Sequence, residues 1–148
     1  MKTVPQISIF GTKEAAEIYK EAFGVTFGFE VKHDDGAYAH LSMMHGDTEL
    51  FTMGERSRLH DAENQNETTN QFLVNNTNNE KTTSPTVGIG IYGLTKEAVW
   101  NAYNVLKKDA IYFNPDGPQS LPWLELDFFI VDKFGVGWEV GTELKYLL

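Results

Sequence analysis

Cysteine is absent from all 148 residues, which excludes disulfides, thiolate nucleophiles and zinc–thiolate sites. Basic residues are scarce: 12 Lys and Arg stand against 21 Asp and Glu, for a formal charge of −9. Such a field repels phosphate backbones, and no cluster of Lys or Arg offsets it locally, so no nucleic-acid partner is expected. No apolar run approaches the roughly 20 residues of a membrane-spanning helix, so no membrane partner is expected either. The opening, Met1-Lys2-Thr3-Val4-Pro5, passes into a strand pattern without the apolar core of a signal peptide. A cytoplasmic location is the expectation.

The chain does contain an internal repeat. Thr12-Lys13-Glu14-Ala15 and Thr95-Lys96-Glu97-Ala98 each open a helical stretch after a short apolar strand that ends in glycine, at Phe10-Gly11 and Tyr92-Gly93. A duplicated small module implies a site between its copies. The first copy starts with a strand over 5–10, and Ala15, Ile18, Tyr19 and Ala22 then form the stripe of an amphipathic helix that Gly24 ends. Thr12 fits the N-cap position. Strands over 25–33, 37–44 and 48–53 follow, joined by turns at Asp34-Asp35-Gly36 and His45-Gly46-Asp47. The second copy repeats the order: strand 86–92, helix 95–107, short strand 110–113, long strand 121–131 and last strand 136–141. The pattern is β-α-β-β-β twice, an α+β protein forming one domain over 1–148. Module one spans 4–53 and module two 85–142. Between them, residues 54–84 form a polar linker or lid whose apolar island is Phe72-Leu73-Val74.

Strand alternation sorts side chains between two faces. In each module the helix is expected to cover the more apolar face of the sheet. Ile7, Ile9, Leu41, Met43, Leu50, Val87, Ile89, Ile91, Leu124, Leu126, Phe128, Ile130, Trp138 and Val140 belong to that set. The opposite face then collects Gln6, Tyr38, His40, Glu49, Phe51, Trp123, Glu125, Asp127 and Glu139, with Gly88 and Gly90 leaving room beside them. Curved into a cup, this mixture of aromatic and acidic side chains suits a small-molecule site. Left flat, it is a solvated polar surface.

Two segments carry a resemblance. Pro5-Gln6-Ile7-Ser8-Ile9-Phe10-Gly11 with the following Ala16–Gly24 resembles the opening of PhnB-like proteins. Asp132-Lys133-Phe134-Gly135-Val136-Gly137-Trp138-Glu139-Val140 resembles the closing motif of the same group, often labelled demethylubiquinone-methyltransferase-like. That group lies in the glyoxalase/bleomycin-resistance/dioxygenase superfamily, the vicinal oxygen chelate proteins. The resemblance implies paired βαβββ modules whose curved sheets enclose a shared cavity. In metal-dependent members the ligands come from the first and fourth strand of each module. Carried over, those positions are Gln6, Glu49, Thr86 (or Gly88) and Glu139. Glutamine is an accepted variant, but neither threonine nor glycine is a normal ligand where the family places histidine. A Gln/Glu/Glu set is all oxygen: it suits Mg or Mn better than Zn, Ni or Fe, unless His40 supplies the missing imidazole. Without metal, Glu49 and Glu139 in one cavity would repel, so that one of them holds its proton. No glycine-rich strand-to-helix loop of the Rossmann type occurs, so the methyltransferase label of relatives brings no expectation of S-adenosylmethionine.

Two functions follow from these readings. The first is a small-molecule-binding protein without a metal cofactor, whose aromatic and acidic residues favour a cationic or polar aromatic ligand. The second is a metal-dependent lyase, isomerase or dioxygenase acting on a substrate with vicinal oxygens. Exposed strand edges add the expectation of a homodimer.

Overall fold

The structure, a computed structural model, describes residues 1–56 and 83–145. The polar stretch with Phe72-Leu73-Val74 lies outside the described residues. The chain divides into two compact units, whose described residues are 1–13 with 27–56, and 14–26 with 83–145. No helix among the described residues is long and apolar enough to cross a membrane.

The first unit is built on a four-stranded mixed sheet. Strands β1 (Gln6–Ile9), β2 (Thr26–Lys32), β3 (Tyr38–His45) and β4 (Thr48–Glu55) lie in the order β1-β4-β3-β2, with β1 parallel to β4 and β3 antiparallel to it. The turn before β3 closes as its sequence dictates: Gly36 adopts φ +85°, and Asp35 accepts a bond from the Ala37 N–H at 3.0 Å. Ile7, Leu41, Met43, Phe51 and Met53 share one face by register, and the last four are fully buried.

The second unit holds helices α1 (Thr12–Phe23, from Glu14 on) and α2 (Lys96–Leu106) with strands β5 (Ile89–Ile91), β6 (Tyr112–Phe113), β7 (Gln119–Leu121), β8 (Leu124–Val131) and β9 (Gly137–Gly141). The sheet order is β5-β9-β8-β6, with β7 also paired to β8 and β5 parallel to β9. Strand parity reads this sheet correctly at its centre. Phe128 and Ile130 stand in register with Val140 and Trp138, which in turn pair with Ile91 and Ile89, giving one continuous apolar face. Helix α1 is expected over the sheet of its own module; from Glu14 on it packs here instead, its Tyr19 and Phe23 rings 5.0 and 4.9 Å from Trp138. Tyr103 of α2 meets Phe128 edge-on at 5.6 Å.

Local chemistry departs from expectation in three places. Thr95 is the N-cap of α2 and accepts from the Ala98 N–H at 3.1 Å, but its repeat partner Thr12 does otherwise. The Thr12 hydroxyl accepts from the Tyr38 N–H, and the Glu55 carboxylate bonds the N–H groups of Gly11 and Thr12 at the start of α1. The strand expected over 86–92 is only three residues long, and Val87, expected on its covered face, lies ahead of it and stays 79% exposed. The strand expected over 121–131 is a hairpin: Pro122 and Trp123 form the turn between β7 and β8, with Leu121 opposite Leu124.

Asp132, the first residue of the closing motif, locks the second unit. It is 2% exposed, and each of its oxygens accepts two bonds. One takes the N–H groups of Phe134 and Val136 at 2.9 and 3.0 Å; the other takes the Tyr19 hydroxyl at 2.7 Å and the Trp138 indole N–H at 2.8 Å. Burial raises this carboxyl above its ordinary range and the four donors pull it back. Removing it would take the carboxylate acceptor away from the buried Tyr19 hydroxyl and Trp138 indole N–H. Asp132→Ala is expected to lower unfolding free energy by about 3–5 kcal/mol, and Tyr19→Phe by about 1–2 kcal/mol. Chemical denaturation measures both. A loss under about 1 kcal/mol for Asp132→Ala contradicts the hub.

Candidate functional site

In the first unit a β-bulge decides which residues meet. Met43 pairs with Phe51 but Met44 pairs with Glu49, so Leu50 is the extra residue of β4. One inserted residue flips everything beyond it to the other face. Glu49 therefore joins Ser42, Thr52 and Gln6, while Phe51, expected beside Glu49, turns to the opposite face and is fully buried. Ser42 donates to one Glu49 oxygen at 2.5 Å, and Lys2 pairs with the other at 3.1 Å. These bonds, the one from Ser42 foremost, hold the Glu49 carboxyl below its ordinary range. Tyr38 and His40 keep the parity of Ser42, and the His40 ring nitrogen lies 3.4 Å from the Ser42 hydroxyl. The serine proton goes to Glu49, so its hydroxyl meets the imidazole only as an acceptor, and these residues do not form a nucleophile–base pair.

In the second unit the face opposite the helices carries Asp127 on β8 and Glu139 on β9. Register sets Phe129 across from Glu139 and Asp127 across from Gly141, which makes the two carboxyl groups diagonal neighbours on one face. Burial first, and then the hydrogen bond and charge of Glu139, push Asp127 from its ordinary 3.8 up to about 7. Asp127 is 9% exposed, and its Oδ2 is buried with no hydrogen-bond donor among the described residues. Phe129 and Tyr112, 6.1 Å apart, stand farther along the same face and remain partly exposed.

Two other residues expected on this face are elsewhere. Trp123 sits at the β7–β8 turn, 47% exposed. Glu125 pairs with Lys96 at the start of α2, 2.6 Å away. A second irregularity is responsible. The β7–β8 register slips by one residue between Leu121↔Leu124 and Gln119↔Asp127, and the N–H groups of both Glu125 and Leu126 bond the Thr142 hydroxyl. Parity counted through that slip misplaces Glu125 relative to Asp127. Conversely, strand parity puts Ser42 on the face of Tyr38 and His40, but sequence reading gave neither Ser42 nor Tyr92 a site role, since those roles appear only once partners across the sheet are known.

The carboxylate expected to repel a neighbour was Glu49 against Glu139. Within its own unit Glu49 pairs with Lys2 and accepts from Ser42, and in the other unit Glu139 has Asp127 as its neighbour. The donors do not fit the four-ligand divalent centre implied by the resemblance. Both Glu49 oxygens are engaged, Thr86 lies in a bend ahead of β5, and Gly90 is the residue in register with Glu139. Among the described residues, no three His, Asp or Glu side chains gather to hold a metal ion. A separate groove of about 720 Å³ lies between α1 and α2, with Glu17, Glu21 and Asp109 at its rim. Its rim acids are exposed and Asp132 beneath is fully bonded, so no group there is left wanting a ligand.

Comparison with known proteins places this geometry. The sequence pattern of the Glyoxalase/Bleomycin resistance protein/Dioxygenase superfamily matches residues 7–140. A PhnB protein from Bacillus cereus superposes with a TM-score of 0.63 at 17% identity, over 96% of this chain and 99% of that one. Protein PA1353 from Pseudomonas aeruginosa superposes with a TM-score of 0.66 at 16% identity, over 97% and 98%. The fosfomycin resistance protein FosX from Listeria monocytogenes, solved with Mn(II) and a dihydroxypropylphosphonic acid, gives 0.57 at 6% identity, over 95% and 90%. At such identities these likenesses speak for the fold alone. No curated protein matches the chain. The pattern spans nearly the whole sequence, and the chain belongs to the Glyoxalase/Bleomycin resistance protein/Dioxygenase superfamily.

Proposed function

We propose that the chain is a small-molecule-binding member of this superfamily that works without a divalent-metal centre. One observation carries the reading. Asp127 keeps a buried oxygen that no donor among the described residues reaches, directly beside a second carboxyl group. An unmet buried acceptor costs about 1–3 kcal/mol, and this one adds nothing to the apolar core behind it. Groups placed against the interest of stability belong to sites, where a bound molecule supplies the missing partner. A solvated polar face would have left the carboxyl in water at its ordinary acidity. The donor set supports the metal-free half of the reading, since both oxygens of Glu49 are already engaged. The expected homodimer has an exposed apolar edge to draw on at β2, where Phe29 and Val31 are 70% and 45% exposed.

A broad panel of small polar and aromatic compounds, screened by thermal shift, tests the reading, because binding to the native state raises its melting temperature. Hits are expected, and they are expected to be lost on Asp127→Asn. A panel without hits contradicts the proposal. So does stoichiometric Mn, Fe, Ni or Zn in protein purified without tag or chelator and lost on Glu49→Ala; that result would favour the metal-dependent lyase, isomerase or dioxygenase.

The Asp127 carboxyl also leaves a stability signature. A carboxyl whose folded-state pKa is raised contributes fully below its ordinary 3.8, and the contribution is lost as pH climbs toward 7. Asp127→Asn, neutral at every pH, is expected to melt a few degrees higher than the unaltered chain at pH 8, with the gap closing as pH falls to 4. No gap at pH 8, or one that widens on acidification, contradicts this assignment.

A further inference from the structure

The face of the second sheet that bears Asp127 and Glu139 is shaped by missing side chains. Gly90 stands in register with Glu139 on the neighbouring strand. A Cβ there would lie 2.6 Å from Cε2 of Tyr92 and 3.0 Å from its hydroxyl oxygen, so the Tyr92 ring lies over the glycine backbone, beside Glu139. On the other flank Phe129 is directly across from Glu139, and its ring runs over Gly137, where a Cβ would meet Cε2 and Cζ at 3.5 Å. Sequence reading took Gly88 and Gly90 as empty room; the Tyr92 ring occupies it at Gly90, while a Cβ at Gly88 would first meet the Gly137 carbonyl oxygen at 3.2 Å. Glu139 thus stands between two rings, with Tyr112 beyond Phe129.

We infer that the Asp127–Glu139 pair and the rings of Tyr92 and Phe129 form a seat for a small organic ammonium ion that carries at least one N–H. The inference rests on the small-molecule reading above and names its ligand class. Three features converge on it. The negative faces of aromatic rings attract cations, and two rings flank one carboxyl group. The buried Asp127 Oδ2 is an acceptor that needs a donor, which an ammonium N–H supplies as a charge-assisted bond. No cation of the sheet does this work: β5, β8 and β9 contain no Lys or Arg, and Lys96 is committed to Glu125 outside the pair. The ligand must bring the charge. An anionic compound of the same shape would face two carboxyl groups, and a neutral one such as an alcohol could donate to Oδ2 but would bring no charge to the pair.

Benzylamine, benzyl alcohol and benzyltrimethylammonium separate charge from N–H donation on one ring. Titration calorimetry on the full chain at pH 8 is expected to rank benzylamine first, with benzyl alcohol at least roughly 10-fold weaker. Asp127→Asn should weaken benzylamine by roughly 10-fold or more while changing benzyltrimethylammonium less, since that ion has no N–H to lose. Tyr92→Leu should weaken both cations. Glu139→Gln, nearly the same shape as the native residue, gives a second folded variant if Asp127→Asn is not well behaved, and melting curves report the fold of each. Benzyl alcohol binding as well as benzylamine overturns the seat, as does benzylamine failing to bind or binding Asp127→Asn unchanged. If benzylamine fails while other compounds of the broad panel still raise the melting temperature, only the ammonium seat falls. If nothing in that panel binds, both readings fall together.

Discussion

Two carboxyl groups set side by side on one sheet face cannot both ionise without cost, and the second unit is arranged so that water does not relieve that cost for Asp127. The strength of the constraint shows by contrast with Asp132, five positions later in the same chain. Both are buried carboxyl groups. Asp132 meets four donors and locks Tyr19 of α1, the β8–β9 turn and Trp138 into one arrangement. Asp127 has an oxygen with no donor among the described residues and a carboxyl neighbour. The first is a fastening that the fold satisfies internally; the second is an open valence held in place by the fold that the first secures.

The closing motif is thus a structural signature before it is a functional one. Asp132 and Trp138 bond each other across it, and Glu139, which follows Trp138 on β9, is carried to the opposite face by strand alternation. A single short motif fixes a core residue and aims a site residue. The fold itself is shared at 6–17% identity with the PhnB protein of Bacillus cereus and with FosX.

Much of the architecture was legible in the sequence because it is written in periodicity. The helices, the doubled strand order and the alternation of β8 with β9 all follow from apolar spacing, so Asp127 and Glu139 were expected on one face. What alternation could not show were the interruptions. The extra residue at Leu50 separates Phe51 from Glu49; the slip between Leu124 and Asp127 sends Glu125 to Lys96; Pro122 turns Trp123 out at a hairpin. Proline was a readable signal, and the strand should have stopped there. The two register shifts leave no comparable mark, because a bulge depends on the partner strand. The repeated Thr-Lys-Glu-Ala misled in a different way: Thr95 caps its helix, whereas Glu55, far along the chain, serves the start of α1. Tyr92 went unnoticed for a similar reason, as its place over Gly90 is a matter of packing and not of pattern.

The account stands on the state of one side chain, and that state can be observed directly. With aspartate carboxyl carbons labelled by carbon-13, the NMR shift of Asp127, assigned by its loss in Asp127→Asn, can be followed from pH 3 to 9. The account predicts a titration centred near pH 7, displaced on Glu139→Gln. A midpoint close to the ordinary 3.8, unmoved by that substitution, would contradict it.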